Sequence, residues 1–268
     1  MNDIHQKPAF LVEIALFAED IATRSRAIAL RNFRHPLAIT TKADESPVTI
    51  ADREVEQALR QAIGQRYPTH GILGEEYGTE HADAEFVWSI DPIDGTRSFV
   101  SGHPLWGTLL GLLHRGHPVF GLIDIPVTSE RWVGMANQPA TLDGVPCHTR
   151  DTATLANAIL YATDPDIFDA HEAPLFNTLS RAVYLRRYGG DCYSYGLLAS
   201  GCIDLVMEAG LQPYDYLAVA PIIKAAGGII TDWEGKPLTM HSCGRVLAAA
   251  NAGLHQQALA CIHAAVGT

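Results

Sequence analysis

Two aspartates stand three residues apart in the stretch WSIDPIDGTR, residues 88–97. Asp91 and Asp94 flank Pro92, whose ring fixes its own φ and favours a turn where the preceding apolar run ends. Carboxylates at this spacing suit hard cations, which prefer oxygen ligands, and the Ile93 carbonyl offers a further oxygen. The stretch therefore predicts a metal site at the end of a buried strand.

The next two residues add a possible anion site. Gly95 and Thr96 open a predicted helix, and the first amides of a helix are available to a phosphate oxygen. Together the two residues and the aspartates before them describe a metal-plus-phosphate site. An ordinary Asx turn with a helix N-cap fits the same letters, because Asp, Pro and Gly are common in turns.

Three further stretches supply acidic side chains. Glu75 follows a short apolar run and precedes Glu76, Asp52 lies early in a predicted helix, and Asp215 lies in the first turn of a late one. Each has a simpler explanation. Adjacent loop glutamates are usually solvated, Asp52 resembles the partner of Thr49 in a capping box, and an acid in a first turn complements the helix dipole. Their joint occurrence favours one shared site.

Hydrophobic periodicity predicts the elements that must position these side chains. Helical spacing predicts amphipathic helices over about 9–32 and 51–66, joined by the polar loop TTKADESP. A run of strands follows, and strands alternate with helices after about residue 157. The predicted strands are 72–73, 86–90, 105–113, 118–125, 131–135, 158–162, 183–187, 203–208, 228–231 and 246–250, and the later helices lie near 172–182, 192–200, 215–226 and 253–265. This order predicts layered α and β elements with two sheets.

Composition narrows the class of protein. The chain has 268 residues and a formal net charge of −11, which argues against a nucleic-acid or anionic-membrane surface. No stretch approaches the roughly 18 apolar residues of a membrane helix, and the N-terminus lacks the pattern of a secretory signal. Five scattered cysteines without a CxxC pair are typical of free thiols in a reducing compartment. We therefore expect a cytoplasmic protein.

Three motifs in this order resemble the inositol monophosphatase family. They are GEE at 74–76, DPIDGT at 91–96, and an aspartate that opens an apolar, AGG-terminated helix at 215–228. The family has Trp-Asp at the third motif, where this chain has Tyr214 before Asp215. The resemblance implies an α/β fold, with helix and sheet layers alternating as αβαβα, and a single catalytic domain over 1–268. Residues 1–150 would form its α+β metal-binding half and 151–268 its α/β substrate-binding half.

The resemblance also implies a mechanism, that of a lithium-sensitive, Mg²⁺-dependent phosphomonoester hydrolase with two or three ions per site. Glu75, Asp91 and the Ile93 carbonyl would hold one ion, and Asp91, Asp94 and Asp215 a second. Glu75 would also assist a third ion through water. The attacking water would be oriented and deprotonated by Asp52 and Thr96, and the phosphate would be held by the amides of Gly95 and Thr96. Lys42 matches a loop lysine of the family, and a solvated lysine fits it equally.

Within the family the chain looks most like the histidinol-phosphate phosphatases, on the segments KADESPVTIAD, RRYGGDCYSYGLLASG and DLVMEAGLQPYDYLA. Asp191 and Glu208 would face the leaving group, and two carboxylates suit the ammonium and imidazole of L-histidinol. A helix N-cap is the alternative for Asp191, and a surface position at a strand end is the alternative for Glu208. Arg187 is a weaker candidate for contacting the phosphate or a dimer partner.

The expected activity is therefore the dephosphorylation of L-histidinol phosphate in histidine biosynthesis. An inositol-1-phosphate or broad sugar-phosphate monophosphatase is the alternative within the same fold. A third possibility is that the protein is not primarily an enzyme but binds the transcription machinery, as some family members do. The net negative charge and the complete set of metal ligands disfavour this possibility. The expected partner is a small phosphate monoester, without nucleic acid or membrane, and the resemblance implies a homodimer.

Overall fold

A computed structural model describes residues 8–35, 40–41 and 47–264. Within these residues the chain forms eight α-helices and two single 3₁₀ turns, at Leu155–Asn157 and Pro165–Ile167. The helices are α1 Pro8–Asn32, α2 Ile50–Arg66, α3 Thr96–Ser101, α4 Glu172–Ala182, α5 Cys192–Ala199, α6 Pro213–Tyr216, α7 Val219–Ala225 and α8 Ala252–Ala264.

The described strands form a two-stranded ribbon and two larger sheets. They are β1 Thr40–Thr41, β2 Pro47–Val48, β3 Gly71–Gly74, β4 Gly78–Glu80, β5 Phe86–Asp94, β6 Gly107–His114, β7 His117–Ile125, β8 Glu130–Met135, β9 Thr141–Leu142, β10 Val145–Pro146, β11 Ile159–Ala162, β12 Leu185–Tyr188, β13 Leu205–Glu208, β14 Ile229–Thr231 and β15 Val246–Ala249. The first sheet has the order β10-β9-β8-β7-β6-β5-β3-β4, and the second has the order β12-β11-β13-β15-β14.

Helices and sheets alternate in five layers. Helices α1 and α2 pack together and cover one face of the first sheet, while α5 and α7 lie on its other face and also contact the second sheet. Helix α8 covers the far side of the second sheet beside α4. Because both faces of the first sheet are covered, its central strands are apolar and buried along almost their whole length. The predicted αβαβα architecture is confirmed.

Local sequence explains why α2 begins where it does. Thr49 is its N-cap, and the Asp52 side chain accepts the Thr49 amide, so the predicted capping box is formed. Val55, Leu59 and Ile63 then recur at helical spacing and are fully buried. This packing fixes the start of α2, and with it Asp52, against the sheet.

A row of three glycines lets α7 approach the sheet closely. Gly111, Gly121 and Gly134 are direct neighbours across β6, β7 and β8. A Cβ on Gly121 would lie 1.8 Å from the carbonyl oxygen of Ala218, and one on Gly134 would lie 2.4 Å from the Cα of Ile222. Side chains at these positions would hold the helix away, so this glycine row sets how deeply α7 is seated.

Two predicted boundaries near the acidic residues are wrong. Strand β5 does not end in a turn at Asp91 but continues to Asp94, and one extra residue bulges between their pairings with Leu109 and Gly107 of β6. Pro92 has no N–H for the sheet, which explains why the ladder is interrupted there without ending.

The single helix predicted over 215–226 is also broken, into α6 and α7. Pro221 is the third residue of α7 and has no N–H to donate to the preceding turn, so the helical hydrogen-bond ladder is interrupted, although Leu217 and Ala218 between the two helices keep helical backbone angles. The predicted strand over 183–187 is displaced to β12, and at the two ends of the predicted loop TTKADESP the pairs 40–41 and 47–48 form the short ribbon of β1 and β2. Residues 42–46 lie outside the described part of the chain.

The first sheet ends at Pro146 and the second begins at Ile159, close to the predicted division at residue 150. The separate roles of the two halves remain a prediction. None of the helices in the described ranges has the length and hydrophobicity that crossing a membrane requires.

Candidate active site

Three aspartates from two distant parts of the chain meet at one point. Asp91 and Asp94 come from the bulged end of β5, and Asp215 comes from the short helix α6. One carboxylate oxygen of each aspartate lies within 4.8 Å of a carboxylate oxygen of each of the other two. Asp91 is buried and the other two are half-buried.

Backbone amides orient two of these carboxylates. Asp94 Oδ2 accepts the amide of Cys192, at the start of α5, at 2.6 Å. Asp215 Oδ2 accepts the amide of Gln212 at 2.7 Å, as part of a capping box that begins α6. Asp91 Oδ1 is buried and accepts no hydrogen bond from the described residues. One oxygen of the cluster therefore lacks the partner that a buried polar atom normally has.

The cluster is electrostatically strained. Burial raises the pKa of Asp91 well above its ordinary value, and the charges of Glu75, Asp94 and Asp215 raise it further. The pKa of Asp94 is also raised well above its usual range, first by burial and then by the nearby charges of Asp191 and Asp215. Like charges this close cannot all remain ionised without a cation among them.

Glu75 reaches the same point from the turn after β3. Its amide donates to the carbonyl of Ile90, the residue before Asp91 in the neighbouring strand β5, at 3.3 Å. The charge of its side chain raises the pKa of both Asp91 and Asp52. The structure therefore brings Glu75 close to Asp91 and Asp52.

Asp52 and Thr96 form a second polar group next to the cluster. Asp52 Oδ2 accepts both the amide and the hydroxyl of Thr49, at 2.8 and 2.6 Å. The other oxygen of Asp52, Oδ1, faces Thr96. Thr96 Oγ1 lies 3.4 Å from Asp52 Oδ1 and 3.1 Å from the carbonyl oxygen of Ile93. Burial raises the pKa of Asp52 despite the opposing hydrogen bonds from Thr49. The helix cap is thus real, and the same carboxylate also faces the site.

Asp191 lies against Gly95 on the other side of the cluster. Its Oδ2 accepts the hydroxyl of Ser98 at 2.9 Å, and a Cβ on Gly95 would stand 2.7 Å from the same oxygen. Asp191 occupies the N-cap position of α5, but its side chain makes no capping hydrogen bond. Its φ of 44° with ψ of −131° is unfavourable for a residue with a Cβ. The backbone is therefore strained at Asp191, where the carboxylate turns away from α5.

Glu208 ends strand β13 and is 1% exposed, so the alternative of a surface residue is wrong. Its Oε1 accepts the amide and hydroxyl of Thr163, at 2.9 and 3.0 Å. Its Oε2 is buried and has no partner among the described residues. Burial raises the pKa of Glu208 to about 8, and the charge of Asp191 contributes to the rise.

The donor set fits a hard cation. Several carboxylates converge with raised pKa values, and a buried oxygen of Asp91 has no donor. All the side chains involved offer oxygen, which is the ligand atom that Mg²⁺ prefers. Three of the predicted metal ligands, Asp91, Asp94 and Asp215, are thus close together in the fold.

Comparison with known proteins identifies the group to which this arrangement belongs. The sequence pattern of the inositol monophosphatase family matches residues 11–267 of this chain. The chain belongs to the inositol monophosphatase family. It is therefore a phosphatase and a phosphomonoester hydrolase, and magnesium dependence is general in this family.

The proteins that this chain resembles are named for different phosphatase activities. The chain is 43% identical over 258 residues to the "Bifunctional phosphatase IMPL2, chloroplastic" of Arabidopsis thaliana, covering 93% of this chain and 75% of that protein. It is 32% identical to a histidinol-phosphatase of Chlorobaculum parvum, covering 91% and 95% of the two chains. A solved inositol monophosphatase from Zymomonas mobilis superposes with a TM-score of 0.87 at 41% identity, covering 94% and 98%.

Arg187, a weaker candidate from the sequence, is not part of this convergence. Arg187 is exposed on β12, an edge strand of the second sheet, and does not line the cavity beside Asp191. Lys42 falls outside the described residues. Their proposed roles remain predictions.

Sequence reasoning missed the residues that hold the family's acidic side chains in place. The amide of Cys192, the hydroxyl of Ser98 and the backbone and side chain of Thr163 each hold one carboxylate. Glu56 was missed as well, although it lies one helical turn after Asp52. No spacing signal marks these partners, because each lies far along the chain from the carboxylate or amide that it binds.

Proposed function

We propose that this protein hydrolyses L-histidinol phosphate to L-histidinol and phosphate, as a step of histidine biosynthesis. The observation that carries the proposal is the buried carboxyl group of Glu208, which has one oxygen bound by Thr163 and the other without a partner. A second carboxylate, Asp191, lies near enough for its charge to raise the pKa of Glu208. Such a pair suits a leaving group that carries positive charge.

The chemistry of the leaving group supports this choice. L-histidinol carries an ammonium and an imidazole, and each can donate a charge-assisted hydrogen bond to a carboxylate. The Glu208 carboxyl is already removed from water, so it loses no water when it binds the leaving group. A cationic leaving group would stabilise the negative charge of the ionised carboxylate, whereas a ligand with only hydroxyl groups carries no positive charge to do so. The name of the Chlorobaculum parvum relative is consistent with this substrate.

The metal ligands follow from the cluster and the family. Glu75, Asp91 and the Ile93 carbonyl would hold one Mg²⁺, and Asp91 would share a second with Asp94 and Asp215. A third ion would be held more weakly through Glu75. When bound, the ions lower the pKa of water and neutralise the negative charge that develops on the phosphate.

The chain itself supplies proton handling and substrate positioning. Thr96 Oγ1 lies 3.4 Å from Asp52 Oδ1, so this hydroxyl would accept a proton from the attacking water and pass its own proton to Asp52. Thr49 holds the other oxygen of Asp52 and so keeps the acceptor turned toward Thr96. The amides of Gly95 and Thr96 would hold the phosphate, and Asp191 and Glu208 the leaving group.

Inositol 1-phosphate is the second candidate substrate. The observation that favours it is the 41% identity to a solved protein named as an inositol monophosphatase, which is close to the identity with the bifunctional phosphatase. Inositol offers hydroxyl groups, for which one carboxylate with neutral neighbours would serve.

A phosphate-release panel distinguishes the candidates. The purified protein is assayed in Mg²⁺ with L-histidinol phosphate, inositol 1-phosphate, fructose 1,6-bisphosphate and adenosine 3′,5′-bisphosphate. We expect the highest kcat/KM on histidinol phosphate. A higher value on inositol 1-phosphate would replace the first proposal with the second.

Three further properties complete the proposal: lithium sensitivity and a homodimer, which the family resemblance implies, and a cytoplasmic location, which the composition of the chain favours. Lithium inhibition is measured in the same phosphate-release assay, and the dimer is measured by sedimentation equilibrium. Arg187, on the exposed edge strand β12, is proposed to lie at the dimer contact or near the phosphate. A dimer that persists in Arg187→Ala with unchanged turnover would remove this residue from both roles.

A further inference from the structure

A buried glutamate holds the turn that carries Glu75. Glu56 lies on α2, four residues after Asp52, and its side chain is completely buried. Its Oε2 accepts the amide of Glu76 at 2.7 Å, and its Oε1 accepts the amide of Tyr77 at 3.1 Å. These are the two residues that directly follow Glu75. One carboxylate therefore binds consecutive amides on one side of the metal ligand.

The other side of the ligand is held as well. The amide of Glu75 donates to the carbonyl of Ile90 at 3.3 Å, so its backbone is fixed between strand β5 and Glu56. The residue before it is a glycine, and a Cβ on Gly74 would lie 2.1 Å from Glu56 Oε1. Only glycine at this position lets the carboxylate reach the turn.

The charge of Glu56 is compensated outside the metal cluster. Arg60, one further turn along α2, donates from Nε to Glu56 Oε1 at 2.8 Å. The same guanidinium binds Glu80 and the carbonyl oxygen of Gly78, so it joins α2 to β4. Glu56 is thus a paired, hydrogen-bonded carboxylate, and its burial needs no metal ion to be tolerated.

We infer that Glu56 is a positioning residue that sets the Glu75 carboxylate in the metal site. It acts through the amides of Glu76 and Tyr77 and does not itself bind the ion. Because Asp52 belongs to the same helix, α2 fixes the position of Glu75 relative to the residue that takes the proton. This inference rests on the proposed metal site, and it assigns the geometry of one ligand to a residue outside that site.

The first test compares Glu56→Gln with a matched control, Asp204→Asn. Asp204 is also a buried carboxylate that binds an arginine, Arg150, and a backbone amide, that of Ile159. Mn²⁺ binding to each purified protein is measured by electron paramagnetic resonance, and thermal unfolding is measured in parallel. We expect Glu56→Gln to weaken Mn²⁺ binding by about tenfold or more, as loss of a group that orients a ligand typically does, while Asp204→Asn binds like wild type.

The outcomes separate positioning from simple stability. If Glu56→Gln is less stable but binds Mn²⁺ as wild type does, or if Asp204→Asn loses the same affinity, the inference is overturned. If wild type itself binds no Mn²⁺, the proposed metal site fails instead. Gly74→Ala supplies an independent variant, because it displaces the Glu56 carboxylate and leaves its chemistry intact, and it should weaken Mn²⁺ binding in the same way.

A measurement on the unmodified protein covers the case in which the variants do not fold. Hydrogen exchange of the Glu76 and Tyr77 amides is followed by NMR in metal-free protein. If Glu56 holds the turn, both amides exchange slowly before any metal is added. Exchange at the rate of an open loop, with protection appearing only after Mn²⁺ or Mg²⁺ binds, would mean that the metal orders the turn and would refute the inference.

Discussion

Replacing Glu208 by glutamine separates recognition of a cationic leaving group from the chemistry at phosphate. The substitution keeps an oxygen that accepts from the amide and hydroxyl of Thr163, and it places an uncharged NH₂ group where the unpartnered Oε2 now lies. The side-chain volume is almost unchanged and the metal cluster is untouched. We therefore expect a folded protein that differs from wild type in one ionisable group.

The size of the effect depends on pH. A charge-assisted hydrogen bond to the substrate is worth about 1.5–3 kcal/mol, or roughly ten- to a hundredfold in kcat/KM. Because burial raises the pKa of Glu208 to about 8, the group is mostly protonated at neutral pH and must lose its proton to bind a cation. That step costs about 1.4 kcal/mol for each pH unit below the pKa. The advantage of wild type should thus be full above about pH 8 and about tenfold smaller near pH 7.

The assay measures kcat/KM for wild type and Glu208→Gln between about pH 6.5 and 9, with L-histidinol phosphate as substrate. The ratio of the two values is the informative quantity, because titration of the substrate and of the metal site affects both enzymes alike. The control substrate is p-nitrophenyl phosphate, whose leaving group has no cation, and its ratio should stay near one at every pH.

Two results would refute this reasoning. Equal losses on both substrates would show that Glu208 serves the structure of the site and not recognition of the leaving group. A ratio on histidinol phosphate that does not change with pH would show that ionisation of Glu208 is not coupled to binding.

Four further outcomes are expected. Activity should vanish in EDTA and return with Mg²⁺, and Asp94→Asn should lose most turnover while circular dichroism shows an intact fold; full activity in metal-free protein would contradict the two-metal site. In the native state the pKa of Glu208 is raised from 4.5 to about 8, so between these pH values the native state binds more protons than the unfolded chain. The free energy of unfolding of wild type should therefore fall as the pH rises from about 4.5 to 8, by up to about 5 kcal/mol. Glu208→Gln should lack this loss, and a parallel pH dependence of Tm in the two proteins would contradict it. Asp191→Asn should lower kcat/KM for histidinol phosphate by about tenfold and leave hydrolysis of p-nitrophenyl phosphate nearly unchanged; an equal effect on both would assign Asp191 to the metal site. Gly121→Ala should lower the free energy of unfolding by about 3 kcal/mol in denaturant titrations, since its Cβ would meet the Ala218 carbonyl, and an unchanged midpoint would mean that α7 can shift.

Much of the fold could be predicted because its signals are local. The helical spacing of apolar residues located α1 and α2 to within a residue of their bounds, and the predicted helix over 172–182 coincides with α4. The interruption between α6 and α7 was missed because the apolar pattern continues across it, and only the missing N–H of Pro221 interrupts the hydrogen-bond ladder.

The site could be predicted only in part, for a similar reason. Asp91 and Asp94 lie in one short motif, and the family resemblance adds the distant Asp215. The burial of Glu208 was not readable, because a carboxylate at a strand end is as common at the surface as inside, and only tertiary packing decides. The same holds for Glu56, whose partners Glu76 and Tyr77 are reached through space and not through spacing along α2.

The glycine row has a consequence for the order in which the protein assembles during synthesis. Asp91 and Asp94 are present once the first sheet has formed, but Asp215 is synthesised much later, on α6, which directly precedes the helix that packs on Gly111, Gly121 and Gly134. An ion bridging these aspartates would therefore join an early-made sheet to a late-made helix. Metal capture would thus follow formation of the first sheet, and a nascent chain that stops before α6 would lack one of the three aspartates.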